Sequence, residues 1–261
     1  MSKNSIEKIF FEKNGFIKLN IKIKSKNFDK LCDEIIEETN EFYLKNFDKI
    51  KKLGGYLTGN LELLPSKKLI HIWKILCNRS FKKTFKDIFG KKISDFDVKF
   101  SGNIVLPKKG YQHFHTDGPL RSKKIILNVA IHDIDTSNAP TEILINTHNR
   151  KMKYWEFYFL EFFKNKKRKL LKMQKGEVVI RNHSIWHRGT RNNSKNLRIL
   201  LLFQLTEKKL HNKFTQIINK DLMIGENQFK SSFKQNLKES ISIYLAPLYI
   251  FYRIITSFFK K

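Results

Sequence analysis

The sequence predicts a mainly β sandwich or barrel with helices flanking it. Between residues 95 and 206, short apolar runs alternate with turn signals, the texture of a sheet-built core. Before that region, residues 26–50 and 67–89 repeat apolar side chains at helical spacing. The chain has 261 residues, 41% of them hydrophobic and including 23 Phe, 8 Tyr and 3 Trp, so a sizeable core is within reach and disorder of the whole is excluded.

In order along the chain, residues 5–13 read as a short helix that Gly15 ends. Phe16–Ile23 alternates apolar and polar residues, as a half-exposed strand does. A helix over 26–50 follows, with Phe28, Leu31, Ile35 and Phe42 on its apolar face and Asp33, Glu34, Glu37 and Glu38 on its solvated one. Residues 53–65 look loop-rich, and 67–89 form a further helix through Ile70, Trp73, Leu76 and Phe81. Strands are then predicted at 96–106, 111–116, 124–132, 141–146, 177–181 and 196–206. An insert at 149–175 interrupts them, carrying Tyr154, Trp155, Phe157 to Phe159, Phe162 and Phe163 before a basic run. The organisation predicted is one domain: support over 1–94, the β core over 95–206, and a helical tail over 207–261.

A formal charge of +28 suggests an anionic partner, but it is spread along a chain rich in Lys, Asn, Ile and Phe together. Compositional drift explains it as well, so a nucleic-acid partner is not expected. Cys32 and Cys77 stand far apart and no C-x-x-C occurs, so neither a zinc site nor a redox motif is suggested, and a reducing compartment is expected. No apolar leader marks the N-terminus, and a cytoplasmic location is expected. The tail over 241–261 is apolar with one internal charge, Arg253, too short in its uncharged part for a confident span. Peripheral contact with a membrane and packing on the barrel are the two readings it leaves.

The chemistry centres on His115 and Asp117. On a strand, residues two apart share a face, so His-x-Asp offers an imidazole and a carboxylate together, and Gly118-Pro119 then ends the strand. One further His would complete two-His-one-carboxylate ligation with open positions for a non-haem iron(II), and His187 stands before a turn marked by Gly189 and Asn192. Alone, an H-x-D is more often an ordinary polar pair. Arg198 shares a face with Leu200, Leu202 and Gln204 in a strongly apolar strand. A cation there either reaches solvent at the strand edge or needs an anion, and a guanidinium fork suits a carboxylate.

Several blocks in order resemble the phytanoyl-CoA dioxygenase family of Fe(II)/2-oxoglutarate oxygenases. Phe11–Leu19 (FEKNGFIKL) is similar to its N-terminal segment, and His115-Thr116-Asp117-Gly118 to its H-x-D. Asp133–Leu144 (DIDTSNAPTEIL) resembles its acidic turn and the hydrophobic strand after it, and Gly176–Ile180 its Gly-acid-hydrophobic strand. His187, Gly189, Asn192, Ser194 and Arg198 match its H-x-G-x-x-N-x-S-x-x-x-R pattern. The resemblance implies a double-stranded β-helix (jelly-roll, cupin-like) core and a dioxygenase that uses O2. It implies that His115, Asp117 and His187 ligate Fe(II), that Arg198 binds the distal carboxylate of 2-oxoglutarate, and that Asn103 and Asn128 face that co-substrate.

The chain also departs from the pattern. The usual Gly before Pro-Thr-Glu is Ala139, and the usual hydroxyl two residues past the distal His is Gly189, leaving Thr190, Ser194 or nothing to supply it. Asp117 is kept, so hydroxylation is expected rather than the halogenation that an Ala or Gly there would suggest. His113 and Trp186 flank the ligands and are candidate substrate contacts, each with a bystander role as the plain alternative. The substrate class expected is a small organic or lipid-like molecule. Two other functions compete: an oxygenase acting on nucleic acid, and a cupin-like metal-binding protein without 2-oxoglutarate turnover.

Overall fold

The computed structural model describes residues 3–112, 114–118, 122–150, 168–208 and 216–225, and in the tail 248, 251, 252 and 255. His113, most of the insert with its aromatic residues, and most of 241–261 lie outside the described residues.

Two antiparallel sheets carry the fold. The strands in chain order are β1 (Phe16–Lys22), β2 (Asn60–Leu63), β3 (Phe96–Val105), β4 (Ile125–Ala130), β5 (Thr141–Leu144), β6 (Arg168–Leu171), β7 (Glu177–Asn182), β8 (His187–Gly189), β9 (Arg198–Glu207) and β10 (Ile224–Gly225). The large sheet runs β1-β7-β4-β9-β3-β2-β10 and the small one β6-β5-β8. Every residue of β4 is buried, because the large sheet is covered on both faces.

The period of two decides which residue faces which layer. Leu127, Val129, Val178, Ile180, Ile199, Leu201 and Phe203 point outward into a core shared with helices. Phe16, Ala130, Val179 and Leu200 point inward and meet Ile143 and Leu171 of the small sheet. The space between the sheets is therefore lined by one face of each, the double-stranded β-helix that the resemblance implies.

The helices are α1 (Lys3–Asn14), α2 (Lys26–Lys45), α3 (Phe47–Ile50), α4 (Gly55–Thr58), α5 (Lys67–Leu76) and α6 (Arg79–Phe89). The helix expected over 67–89 is two helices. Asn78 accepts a hydrogen bond at 3.0 Å from the Phe81 amide and so caps α6, which turns the chain and lets Trp73 and Phe81 meet edge to face. The helix expected over 26–50 likewise stops at Asn46, where α3 restarts it. Residues 53–65 are more ordered than loop: they hold α4 and the buried strand β2, whose register against β3 pairs Glu62 with Asn103.

Two expectations in the β region change. Residues 168–171 of the insert pair with β5, so the small sheet begins inside it. The described residues of 111–116 form no regular strand. The Gln112 amide bonds the Gly189 carbonyl at 3.0 Å, and the Gln112 side chain, not its backbone, accepts from the Gly189 amide. Among them His115 regains pairing, as an isolated bridge to His187. Among the described residues no helix is long and apolar enough to cross a membrane.

Candidate metal centre

The bridge between His115 and His187 is what assembles the centre. Each residue's amide donates to the other's carbonyl at 2.9 Å, which sets the two imidazoles side by side with ring centroids 4.5 Å apart. Asp117 follows in a bend, outside any strand, so the shared-face argument for His-x-Asp is replaced by a turn that brings the carboxylate back. Ligand atoms of His115, Asp117 and His187 all lie within 4.8 Å of one another. Gly118 makes the bend possible: a Cβ there would stand 1.9 Å from Nδ1 of His183.

His187 faces the inner space, since its cross-strand partner Ile143 belongs to the inner core. Its Nδ1 sits 3.0 Å from the Ile185 carbonyl, which assigns the proton to Nδ1 and leaves the Nε2 lone pair free. That Nε2 is 3.5 Å from Oδ2 of Asp117, and Nε2 of His115 is 3.9 Å from Oδ1. Burial, with the Arg181 cation adding to it, holds the His187 imidazole down to about 3. Surrounding protein pushes the Asp117 carboxyl up, but the Arg181 guanidinium beside it outweighs that and keeps it well below the usual carboxylate range. Two imidazoles, one of them fixed in its neutral form, and one ionised carboxylate are a fitting donor set for a divalent iron.

Arg181 was not singled out from sequence. It lies on β7 and points inward like Val179, 4% exposed, with Nη2 donating to Oδ2 of Asp117 at 2.7 Å. The signal was available: Val178-Val179-Ile180-Arg181 places a cation at the end of an apolar run, the same anomaly that marked Arg198.

Arg198 opens β9 and is 1% exposed, the largest of the fully buried side chains. The edge-of-strand alternative fails on that burial. Its Nη1 donates to Oδ1 of Asn103 at 2.8 Å and its Nε to the Ala139 carbonyl at 3.1 Å. Both acceptors are neutral, and no carboxylate pairs with it among the described residues. Burial pulls its pKa down to about 9. Ala139 has φ 64°, the left-handed region that favours glycine, which explains the Gly usual at that position and how the carbonyl comes to face Arg198.

The remaining candidates divide. Asn103 touches Arg198; Asn128, on the inner face of β4, makes only a long 3.4 Å contact to the Val179 carbonyl. Trp186 is half-buried, and its backbone is tied to Leu144 and to the Thr147 hydroxyl. Neither proposed hydroxyl is free for a co-substrate: Thr190 donates to Pro140 and Ser194 to Asn192. Asn192 is fully buried and staples the turn, donating to Val105 at 3.1 Å and to Asn196 at 2.8 Å. Arg188, 2.6 Å from Glu142 and 2.7 Å from the Tyr111 hydroxyl, braces β8 against β5 and the 111–116 segment.

The family model for phytanoyl-CoA dioxygenase matches residues 11–200. No curated protein matches the chain in sequence. Among solved structures it is similar to AviO1 from Streptomyces viridochromogenes Tue57, at 9% identity and TM-score 0.58, over 80% of this chain and 96% of that one. HygX from Streptomyces hygroscopicus, crystallised with nickel and 2-oxoglutarate, matches at 10% identity and TM-score 0.54, over 85% and 98%. SnoN, described as a non-heme alpha ketoglutarate dependent epimerase from nogalamycin biosynthesis, matches at 8% identity and TM-score 0.53, over 78% and 80%. At these identities the likeness is one of fold.

Proposed function

The chain belongs to the phytanoyl-CoA dioxygenase family, and on that premise we propose that it is an Fe(II)- and 2-oxoglutarate-dependent dioxygenase that hydroxylates a small organic or lipid-like substrate. The observation that carries the reading is Arg198, a fully buried cation without a carboxylate partner among the described residues, in the same inter-sheet space as a two-His-one-carboxylate cluster. A metal-binding protein without a keto-acid ligand has no use for a cation there, and an unpaired buried charge is expensive.

In this reading His115, Asp117 and His187 hold the iron. When bound together with 2-oxoglutarate and O2, iron supplies an oxidant strong enough to take a hydrogen atom from an unactivated carbon. The protein's own contribution is positional. Ile185 fixes the tautomer of His187, Arg181 keeps Asp117 ionised, and Asn103 with the Ala139 carbonyl aims the Arg198 fork. The Arg198 guanidinium takes the distal carboxylate of the keto acid in place of an absent side-chain partner. The apolar inner face of Phe16, Val179 and Leu200 keeps water away. With Asp117 in the carboxylate position no place is left for a halide, which favours hydroxylation over halogenation.

The test is substrate-independent turnover: protein, Fe(II), 2-oxoglutarate and air, with succinate measured. Slow iron-dependent succinate formation that Asp117→Ala abolishes is the expected result. Iron binding without succinate would favour the cupin-like binding protein.

A further inference from the structure

We propose that Arg181 recognises an oxyanion on the prime substrate, a carboxylate or a sulfate- or phosphate-like group, next to the metal centre. The proposal rests on the iron and 2-oxoglutarate reading above. Arg181 is buried on the inner face of β7 and spends one nitrogen, Nη2, on Asp117. Its Nε and Nη1 are also buried and have no hydrogen-bond partner among the described residues. A guanidinium has five N–H donors in a fixed plane, so a fork with one tine used and the others bare is built for a second acceptor. The Nδ1 of His183, 6% exposed and packed against Gly118, is a further buried nitrogen without a partner among the described residues. Unsatisfied buried polar atoms are rare in folded proteins and collect where a ligand completes them.

Charge counting gives the sign of that ligand. In the loaded centre, two positive charges of Fe(II) are balanced by Asp117 and by the keto acid's metal-bound carboxylate. Its distal carboxylate balances Arg198. Arg188 is balanced by Glu142 at 2.6 Å. Arg181 shares Asp117, which the metal would also claim, so among the described residues one buried positive charge is left over. Net buried charge is costly, and a substrate anion beside Arg181 cancels it. Register places Arg181 across from Ile126 and, on the next strand, Gln204, six residues along β9 from Arg198. The two guanidinium groups therefore mark different ends of the inner face, one for the co-substrate and one for the substrate.

The experiment uses the full chain loaded anaerobically with Fe(II) and 2-oxoglutarate, and sulfate and acetate as probes. Each is titrated while the visible iron–keto-acid band and the thermal midpoint are followed. The expected result is a saturable shift of both signals in the wild type, at least ten-fold weaker in Arg181→Gln and partly restored in Arg181→Lys. Lys74→Gln, on the outer face of α5, should behave as wild type. A preference for sulfate or for acetate identifies which class of oxyanion fits. A normal band that neither anion perturbs in the wild type, or that both perturb equally in Arg181→Gln, overturns the proposal and leaves Arg181 as a positioning residue for Asp117. If no band forms, the co-substrate reading fails, and this proposal with it.

Discussion

Replacing Arg198 by Met separates two things the guanidinium does. In the protein without co-substrate it is a cation buried to 1% exposure, held by Asn103 at 2.8 Å and the Ala139 carbonyl at 3.1 Å. Met removes a desolvated charge, which is favourable, but leaves two acceptors unpaired at about 1–3 kcal/mol each. The two effects oppose, so the metal-free variant should unfold within about 4 °C of wild type, the shift that roughly 1 kcal/mol produces in a chain of this size. For 2-oxoglutarate they do not oppose. Losing one partner of a buried, hydrogen-bonded charge pair costs about 2–5 kcal/mol, so affinity should fall by at least about 30-fold. Calorimetric titration of 2-oxoglutarate into the nickel-loaded proteins measures this directly. An affinity within about three-fold of wild type would refute the assignment, and collapse of the metal-free variant would show that Arg198 is there for folding.

Three further outcomes follow from the same geometry. Gly118→Ala puts a methyl 1.9 Å from Nδ1 of His183 and should cost about 1–3 kcal/mol in urea unfolding together with metal affinity; adding His183→Ala should recover most of both, and a silent Gly118→Ala contradicts the close approach. The His187 imidazole has its pKa held down to about 3 against 6.5 in the unfolded chain, so the unfolded state binds the extra proton between those values. That contribution is complete above pH 6.5 and is lost as pH falls, at about 2 kcal/mol between pH 7 and pH 5 for the metal-free protein; His187→Gln should flatten the dependence by that amount in urea titrations at the two pH values. Asn78→Ala removes the cap that divides α5 from α6 and should lower stability by about 1 kcal/mol with metal binding unchanged, which a thermal melt with and without nickel would check.

The parts of this molecule that were legible in sequence are those where one local rule decides. Period-two burial in β4, β7 and β9 is readable because each strand is a run of Val, Ile and Leu bounded by turns, and Arg198 stands out against that background. His115 and Asp117 were singled out by spacing and His187 by the family resemblance, yet the reason given for the first two was incomplete: Gln112 meets β8 through its amide and its side chain, and tertiary pairing, not strand periodicity, places His115. The break at Asn78 was hidden because apolar spacing runs on through both helices while a single cap sets the boundary. Strand β6 was missed because Arg168 and Lys169 read as part of a basic run, and only pairing with β5 shows them as an edge of the small sheet. Arg181 was overlooked although it breaks the same rule as Arg198; its partner, Asp117, is 64 residues away and not inferable from spacing.

In the proposed function one cluster holds iron and one buried arginine holds the keto acid. Anaerobic reconstitution with Fe(II), followed by 2-oxoglutarate, tests both through the weak visible charge-transfer band of an iron–keto-acid chelate. A band is expected in the wild type, none in His187→Ala, and a weakened one, requiring far more 2-oxoglutarate, in Arg198→Ala. Iron demonstrably bound to the wild type with no band at saturating 2-oxoglutarate would contradict it.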